Sequence, residues 1–131
     1  MYAAGSAEFA DGQHAAYWKD STIVEVANSP VGSTALSLRV SGGDIFVAGY
    51  QTINGKSIAT YWKNNVPVTL SATTSNALGI FLFGNDIYVA GYEIDSNGKN
   101  IATYWKNGVA THVGNKGSTA YAIFVKARLA L

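Results

Sequence analysis

Asp86-Ile87-Tyr88-Val89-Ala90-Gly91-Tyr92 is a near copy of Asp44-Ile45-Phe46-Val47-Ala48-Gly49-Tyr50. Both runs are rich in β-branched and aromatic residues and lack the alternation of a strand with one wet face, so each reads as a strand covered on both sides. The next stretch repeats as well. Ile58-Ala59-Thr60-Tyr61-Trp62-Lys63-Asn64 returns as Ile101-Ala102-Thr103-Tyr104-Trp105-Lys106-Asn107, and a more diverged copy supplies Tyr2-Ala3-Ala4-Gly5 and Ala15-Ala16-Tyr17-Trp18-Lys19-Asp20. Trp18, Trp62 and Trp105 stand 44 and 43 residues apart, so the chain is three copies of one unit and little else. The copies run approximately over 1–34, 35–76 and 77–118, and a closing segment follows at 119–125.

Turn signals cut each copy into four strands. In the middle copy they fall near 35–41, 45–51, 57–63 and 66–71, joined by Gly42-Gly43-Asp44, Asn54-Gly55-Lys56 and Asn64-Asn65. The third copy has Gly84-Asn85-Asp86, Asn97-Gly98-Lys99 and Asn107-Gly108 in the same places. Asn-Gly suits a two-residue hairpin because both turn residues must take positive φ for the turn to match the strand twist. A four-stranded meander of about 43 residues, covered on both faces, describes a β-propeller blade. The small pairs Ala4-Gly5, Ala48-Gly49 and Ala90-Gly91 are then expected where the next sheet approaches closely. Three four-stranded repeats would also suit a β-trefoil, but the uniform hairpins and two-sided burial favour blades.

Composition narrows the function classes. Of 131 residues, 48% are hydrophobic and 13% charged, enough apolar content for a core. A net charge of +1 provides no field for nucleic acid or an anionic membrane, so neither is expected as a partner. No Lys or Arg precedes Lys19 and no apolar run approaches the ~20 residues of a membrane helix, so neither a cleavable signal nor a span is read. Cysteine is absent, which removes disulfides and thiolate chemistry.

Closure is the next constraint. Propellers close with about four to eight blades, and three cannot close. The innermost strand of each blade is the run seen as Ala35-Leu36-Ser37-Leu38-Arg39-Val40, Ala77-Leu78-Gly79-Ile80-Phe81-Leu82 and Ala120-Tyr121-Ala122-Ile123-Phe124-Val125. The first copy therefore lacks an inner strand, and the last such run has no blade of its own. A homodimer by strand exchange, closing a six-bladed ring, is the expected assembly.

The succession Ile-Tyr-Val-Ala-Gly-Tyr at 87–92 and Ala-Thr-Tyr-Trp-Lys-Asn-Gly at 102–108 resembles the bacterial β-propeller repeats with a Tyr-Trp-Lys-Asn-Gly signature, distantly kelch-like in strand order. The resemblance runs from Met1 to about Val125. It implies propeller architecture and says little about function. The first copy departs from it, with Ser6 where Tyr50 and Tyr92 stand, His14 where Ile58 and Ile101 stand, and Asp20-Ser21 at the turn.

Adjacent strand residues point to opposite faces. In the pairs Tyr17-Trp18, Tyr61-Trp62 and Tyr104-Trp105, each Tyr should therefore pack towards one neighbouring sheet and each Trp towards the other. Packing is the main role expected of them. A functional role would stack the indole edges on sugar rings between blades, making these six residues the candidate glycan-binding set, with avidity from repetition around the ring. Lys19, Lys63 and Lys106 share a rim with Asp44 and Asp86, which reads as a mixed, solvated face.

An active site would break the repeat, as Glu8, His14, Glu25, Arg39 and His112 do. Arg39 replaces Phe81 and Phe124, and is expected to pair with Glu8 or Glu25. His14 and His112 occupy different repeat positions, so no metal-ligand set and no cofactor is read. Ser37, Gly79 and Ala122 at one inner-strand position are too small and neutral for acid–base work. The expected function is a non-enzymatic binding or scaffold module, carbohydrate-binding in its most concrete form. The alternative is a structural propeller segment without a ligand of its own.

Overall fold

The computed structural model of the chain describes residues 1–26 and 30–127. They form eleven strands and, among the described residues, no helix. The first repeat contains β1 (Tyr2–Phe9), β2 (Gly12–Lys19) and β3 (Thr22–Glu25). The second contains β4 (Thr34–Ser41), β5 (Asp44–Ile53), β6 (Lys56–Lys63) and β7 (Val66–Thr69), and the third β8 (Ser75–Phe83), β9 (Asp86–Ile94), β10 (Asn100–Lys106) and β11 (Val109–Lys116). Each repeat is its own antiparallel meander, in the orders β1-β2-β3, β4-β5-β6-β7 and β8-β9-β10-β11. Among the described residues no strand pairs outside its own repeat, whereas a trefoil barrel would need strands shared between repeats.

Local chemistry sets the turns. Asn54 and Gly55 take φ of 51° and 76°, Asn64 and Asn65 48° and 68°, and Asn107 and Gly108 49° and 84°. These are the paired positive values that two-residue hairpins require. The turn after β9 is longer than its counterpart after β5, and Asp95 holds it together. Its Oδ1 accepts the N–H groups of Asn97 and Lys99, both at 2.9 Å, which holds the Asp95 carboxyl below the usual carboxylate range.

The sheets stack in chain order, with the second between the other two. Tyr17, Val26, Ala35, Val47 and Trp62 make the core between the first and second sheets. Phe46, Ala48, Tyr61, Ile80, Val89 and Trp105 make the core between the second and third. Alternation along a strand therefore sends Tyr61 and Trp62 to different cores, as the sequence pattern requires. Ala48 lies in the core with Ile80 and Val89 of the third sheet, so the expectation for the small pairs holds at that alanine and needs correction at the glycines. A Cβ on Gly49 would overlap the Thr34 carbonyl, and one on Gly91 the Asn76 carbonyl, both on the inner strand of the same sheet. The close approach is internal because the ladder is bulged there, between Ala35 and Ser37 and between Ala77 and Gly79.

A serine latches each sheet to the next. Ser33 Oγ accepts the buried Ala15 N–H at 2.9 Å, and Ser75 Oγ accepts the Ala59 N–H at 2.9 Å. Each hydroxyl stands at the start of its sheet's first strand, Ser33 just ahead of β4 and Ser75 as the first residue of β8, and satisfies a backbone donor on the preceding sheet.

Candidate functional site

The first sheet has an open edge. β5 is flanked by β4 and β9 by β8, but β1 is an edge strand with no partner on its inner side among the described residues. Burial records the difference. Ala48 and Ala90 are buried, while Ala4 is only half-buried and Ala3 is exposed. Leu38, which faces the first sheet, is half-buried, whereas its counterpart Ile80 faces a complete sheet and is 1% exposed.

The segment 119–125, expected as a closing inner strand, carries no ladder. A strand needs a hydrogen-bonded neighbour, and no such sheet stands beside it. Its placement is nevertheless that of an inner strand. Ser118 Oγ accepts the Ala102 N–H at 3.0 Å, the same latch that Ser33 and Ser75 make. Asn100 donates to Thr119 Oγ1 at 3.4 Å, matching Gln13 to Thr34 Oγ1 at 3.3 Å and Ser57 to Asn76 Oδ1 at 3.5 Å. The Ala120 N–H donates to the Gly91 carbonyl at 3.1 Å, and the Phe124 ring lies 4.9 Å from that of Phe81. Gly79 permits this approach, since a Cβ there would come within 2.8 Å of the Tyr121 carbonyl oxygen. Yet Tyr121 and Phe124 are 74% and 76% exposed.

The six aromatic residues divide into two groups. Trp62 and Trp105 are 0% exposed, and Tyr17 and Tyr61 are buried with them. An indole with no exposed face has none to offer a sugar, so at these positions the rings are core. Both indole N–H groups are buried without a hydrogen-bond partner. Burial also raises the Tyr61 hydroxyl above its ordinary pKa. Trp18 and Tyr104 are only half-buried. They are the two that face away from the stack: Tyr17 shares a core with Trp62 and Tyr61 with Trp105, which leaves Tyr104 on the outer face of the third sheet and Trp18 on that of the first.

The side chains that break the repeat gather at separate places. His14 is buried, with Nε2 2.9 Å from Asp11 Oδ1 and Nδ1 3.4 Å from Glu25 Oε1. This overturns the expected partner for Arg39. Glu25 faces His14, Glu8 is exposed, and the exposed Arg39 guanidinium donates to the Leu38 carbonyl at 2.9 Å. An exposed guanidinium is solvated and has no need of a buried carboxylate.

A second group lines a groove on the third sheet beside the β7–β8 connection. Glu93 receives the Ser71 hydroxyl on one oxygen and lies 2.9 Å from His112 Nε2 on the other. Thr73, Ile94, Asp95 and Ile101 complete the lining, and the groove continues into a wider one of about 350 Å³ beside Lys56. Hydroxyl and imidazole both address the same carboxylate. The carboxylate thereby holds both polar groups at one place. Neither the groove nor the role of Glu93 was legible in the repeat alignment; only His112 stood out, as a departure from it. On the lysine rim, Lys63 and Lys106 lie 5.7 Å over the rings of Phe46 and Tyr88, which uses their charge within the sheet. No protein-family model matches the chain, and no curated protein does either.

Proposed function

We propose that the three sheets are blades of a β-propeller, kelch-like in strand order as the repeat signature implies, and that the protein is a non-enzymatic binding or scaffold module. A second copy completes the ring as a homodimer by strand exchange. One observation carries this reading: the first sheet has an open inner edge, while the segment 119–125 lies on the third sheet as an inner strand does but has no blade. Two copies of three sheets make six blades, within the closed range, whereas three copies would make nine. Each copy gives its inner strand to the other's first sheet, and both open edges are removed together. Light scattering on a sizing column over a dilution series tests it. A species near twice 13.8 kDa that persists on dilution is expected, and a stable monomer refutes the ring.

The groove holding Ser71, Thr73, Glu93, Asp95 and His112 supports a carbohydrate-binding form of the module. Carboxylate and imidazole groups beside the apolar Ile94 and Ile101 suit a ligand with hydroxyls on one edge and C–H groups on its face. A glycan array with wild type and Glu93→Gln is the test. Loss of signal in the variant at unchanged circular dichroism supports the site. No signal from wild type leaves the scaffold without a glycan.

A further inference from the structure

We infer that the joint between two copies repeats the internal junctions residue for residue, bulge included, and differs from them chiefly at Ser6. The inference rests on the ring reading and adds the register and the residues that meet. β4 lies on β5 with Thr34 opposite Tyr50 and Ala35 opposite Gly49; after the bulge, Ser37 is opposite Ala48, Leu38 opposite Val47, Arg39 opposite Phe46 and Val40 opposite Ile45. β8 lies on β9 in the same register, from Asn76 opposite Tyr92 to Leu82 opposite Ile87. Carried to the open edge of β1, this sets the partner's Thr119 opposite Ser6 and the partner's Ala120 opposite Gly5. The partner's Tyr121 is the bulged residue. Beyond it, the partner's Ala122 falls opposite Ala4, the partner's Ile123 opposite Ala3, the partner's Phe124 opposite Tyr2 and the partner's Val125 opposite Met1.

Two consequences follow at the side chains. Trp18 meets the partner's Tyr104, because Tyr17 meets Trp62 and Tyr61 meets Trp105 at the internal junctions. Both residues are half-buried in the single chain and become core in the ring. The polar trio at each junction changes as well. Tyr50 accepts the Thr34 hydroxyl at 3.1 Å and Tyr92 accepts an Asn76 N–H at 2.8 Å, but the partner's Thr119 faces Ser6, which has no phenol to offer. The joint is thus the least fully bonded of the three junctions and the place where the ring opens.

The chain contains no cysteine, so introduced thiols report alone. Facing residues of an antiparallel pair stand about 4.5–5.5 Å apart at Cα, within disulfide range. Ala3→Cys with Ile123→Cys is therefore expected to convert the monomer band to a covalent dimer on a non-reducing gel. Each single variant, and the shifted pair Ala3→Cys with Ala122→Cys, should remain at monomer, because a one-residue slip turns the side chain to the other face. A shifted pair that bridges as fully as the aligned pair overturns the register, as does absence of bridging in a protein that light scattering finds dimeric; both leave the ring standing. A bridge within one chain, running ahead of the unbridged monomer, overturns the exchange. A monomeric mass for the unmodified protein sinks the ring itself.

Discussion

Trp62 and Trp18 occupy one repeat position, yet they should respond differently to truncation. Trp62 is 0% exposed between the first and second sheets, so Trp62→Ala removes a fully packed indole from the core that holds Tyr17, Val26, Ala35 and Val47. Such a truncation costs about 3–5 kcal/mol. A domain of this size is stable by about 5–15 kcal/mol, so the variant should be severely weakened or unfolded. Trp18 is half-buried in the single chain, and in the proposed ring a second copy would cover its outer face. Trp18→Ala should cost less at concentrations where the ring has come apart and approach the Trp62 value where it is assembled. Urea unfolding of each variant at a low and a high protein concentration separates the two. The Trp62→Ala loss should be present at both concentrations, while the Trp18→Ala loss should grow with concentration. A Trp62→Ala loss under about 1 kcal/mol would contradict the packing of the second sheet. A Trp18→Ala loss independent of concentration would remove Trp18 from the joint.

Other substitutions probe the same construction. Gly49→Ala should prevent the native ladder, since its Cβ overlaps the Thr34 carbonyl, whereas Gly43→Ala meets nothing within 4 Å at a φ open to any residue and should be neutral or stabilising by about 0.4–1 kcal/mol; thermal melts distinguish them. Ser6→Tyr should restore the phenol that Tyr50 and Tyr92 provide. One net hydrogen bond of about 0.5–1.5 kcal/mol at each of two joints predicts dimerisation tighter by roughly 5- to 150-fold in sedimentation equilibrium, and weaker association would count against the register. Tyr61 titrates above its ordinary value of 10.0 because it is buried. The folded state therefore holds the proton more tightly than the unfolded state, and the stabilisation is full below that value and lost as pH rises through the raised one. Unfolding midpoints should fall above about pH 10, and Tyr61→Phe should flatten part of that fall; an unchanged slope would mean another group is responsible.

Much of this architecture is legible because each repeat states it again. The strand expected at 45–51 is the core of Asp44–Ile53, and that at 57–63 is Lys56–Lys63 less one residue. The Asn-Gly and Asn-Asn turns take the backbone that their chemistry requires. What was not legible depends on distances between sheets. Gly49 looked like a contact for a neighbouring blade, but a bulge in its own sheet uses it, and bulges leave no composition signal. Arg39 reads as a buried charge because Phe stands at its equivalents, yet it is exposed, on the face of β4 that it shares with Phe46 and opposite to the one Leu38 turns to the first sheet. Glu93 has nothing in its sequence neighbourhood to mark it; the fold brings Ser71 from the β7–β8 connection and His112 from β11 to its two oxygens.

The placement of the last segment bears on how a ring could assemble. A chain that offers one inner strand and one open edge joins others head to tail, and such joining either closes or continues as a fibre. Loose ends favour continuation, since a flexible donor reaches neighbours at any angle. Here the donor is already fixed. Ser118 and Asn100 hold its start to the third sheet by the same two contacts that hold the starts of β4 and β8, and Phe124 lies against Phe81. Ordering before association lowers the entropy lost on joining and restricts the angle at which the next copy can sit. If each joint turns the stack as each internal junction does, two copies return to the start and growth ends with both edges covered. Sedimentation velocity should then resolve one discrete assembled species at every concentration above dissociation. A ladder of larger species would mean that the joint turns by a different angle from the junctions inside the chain.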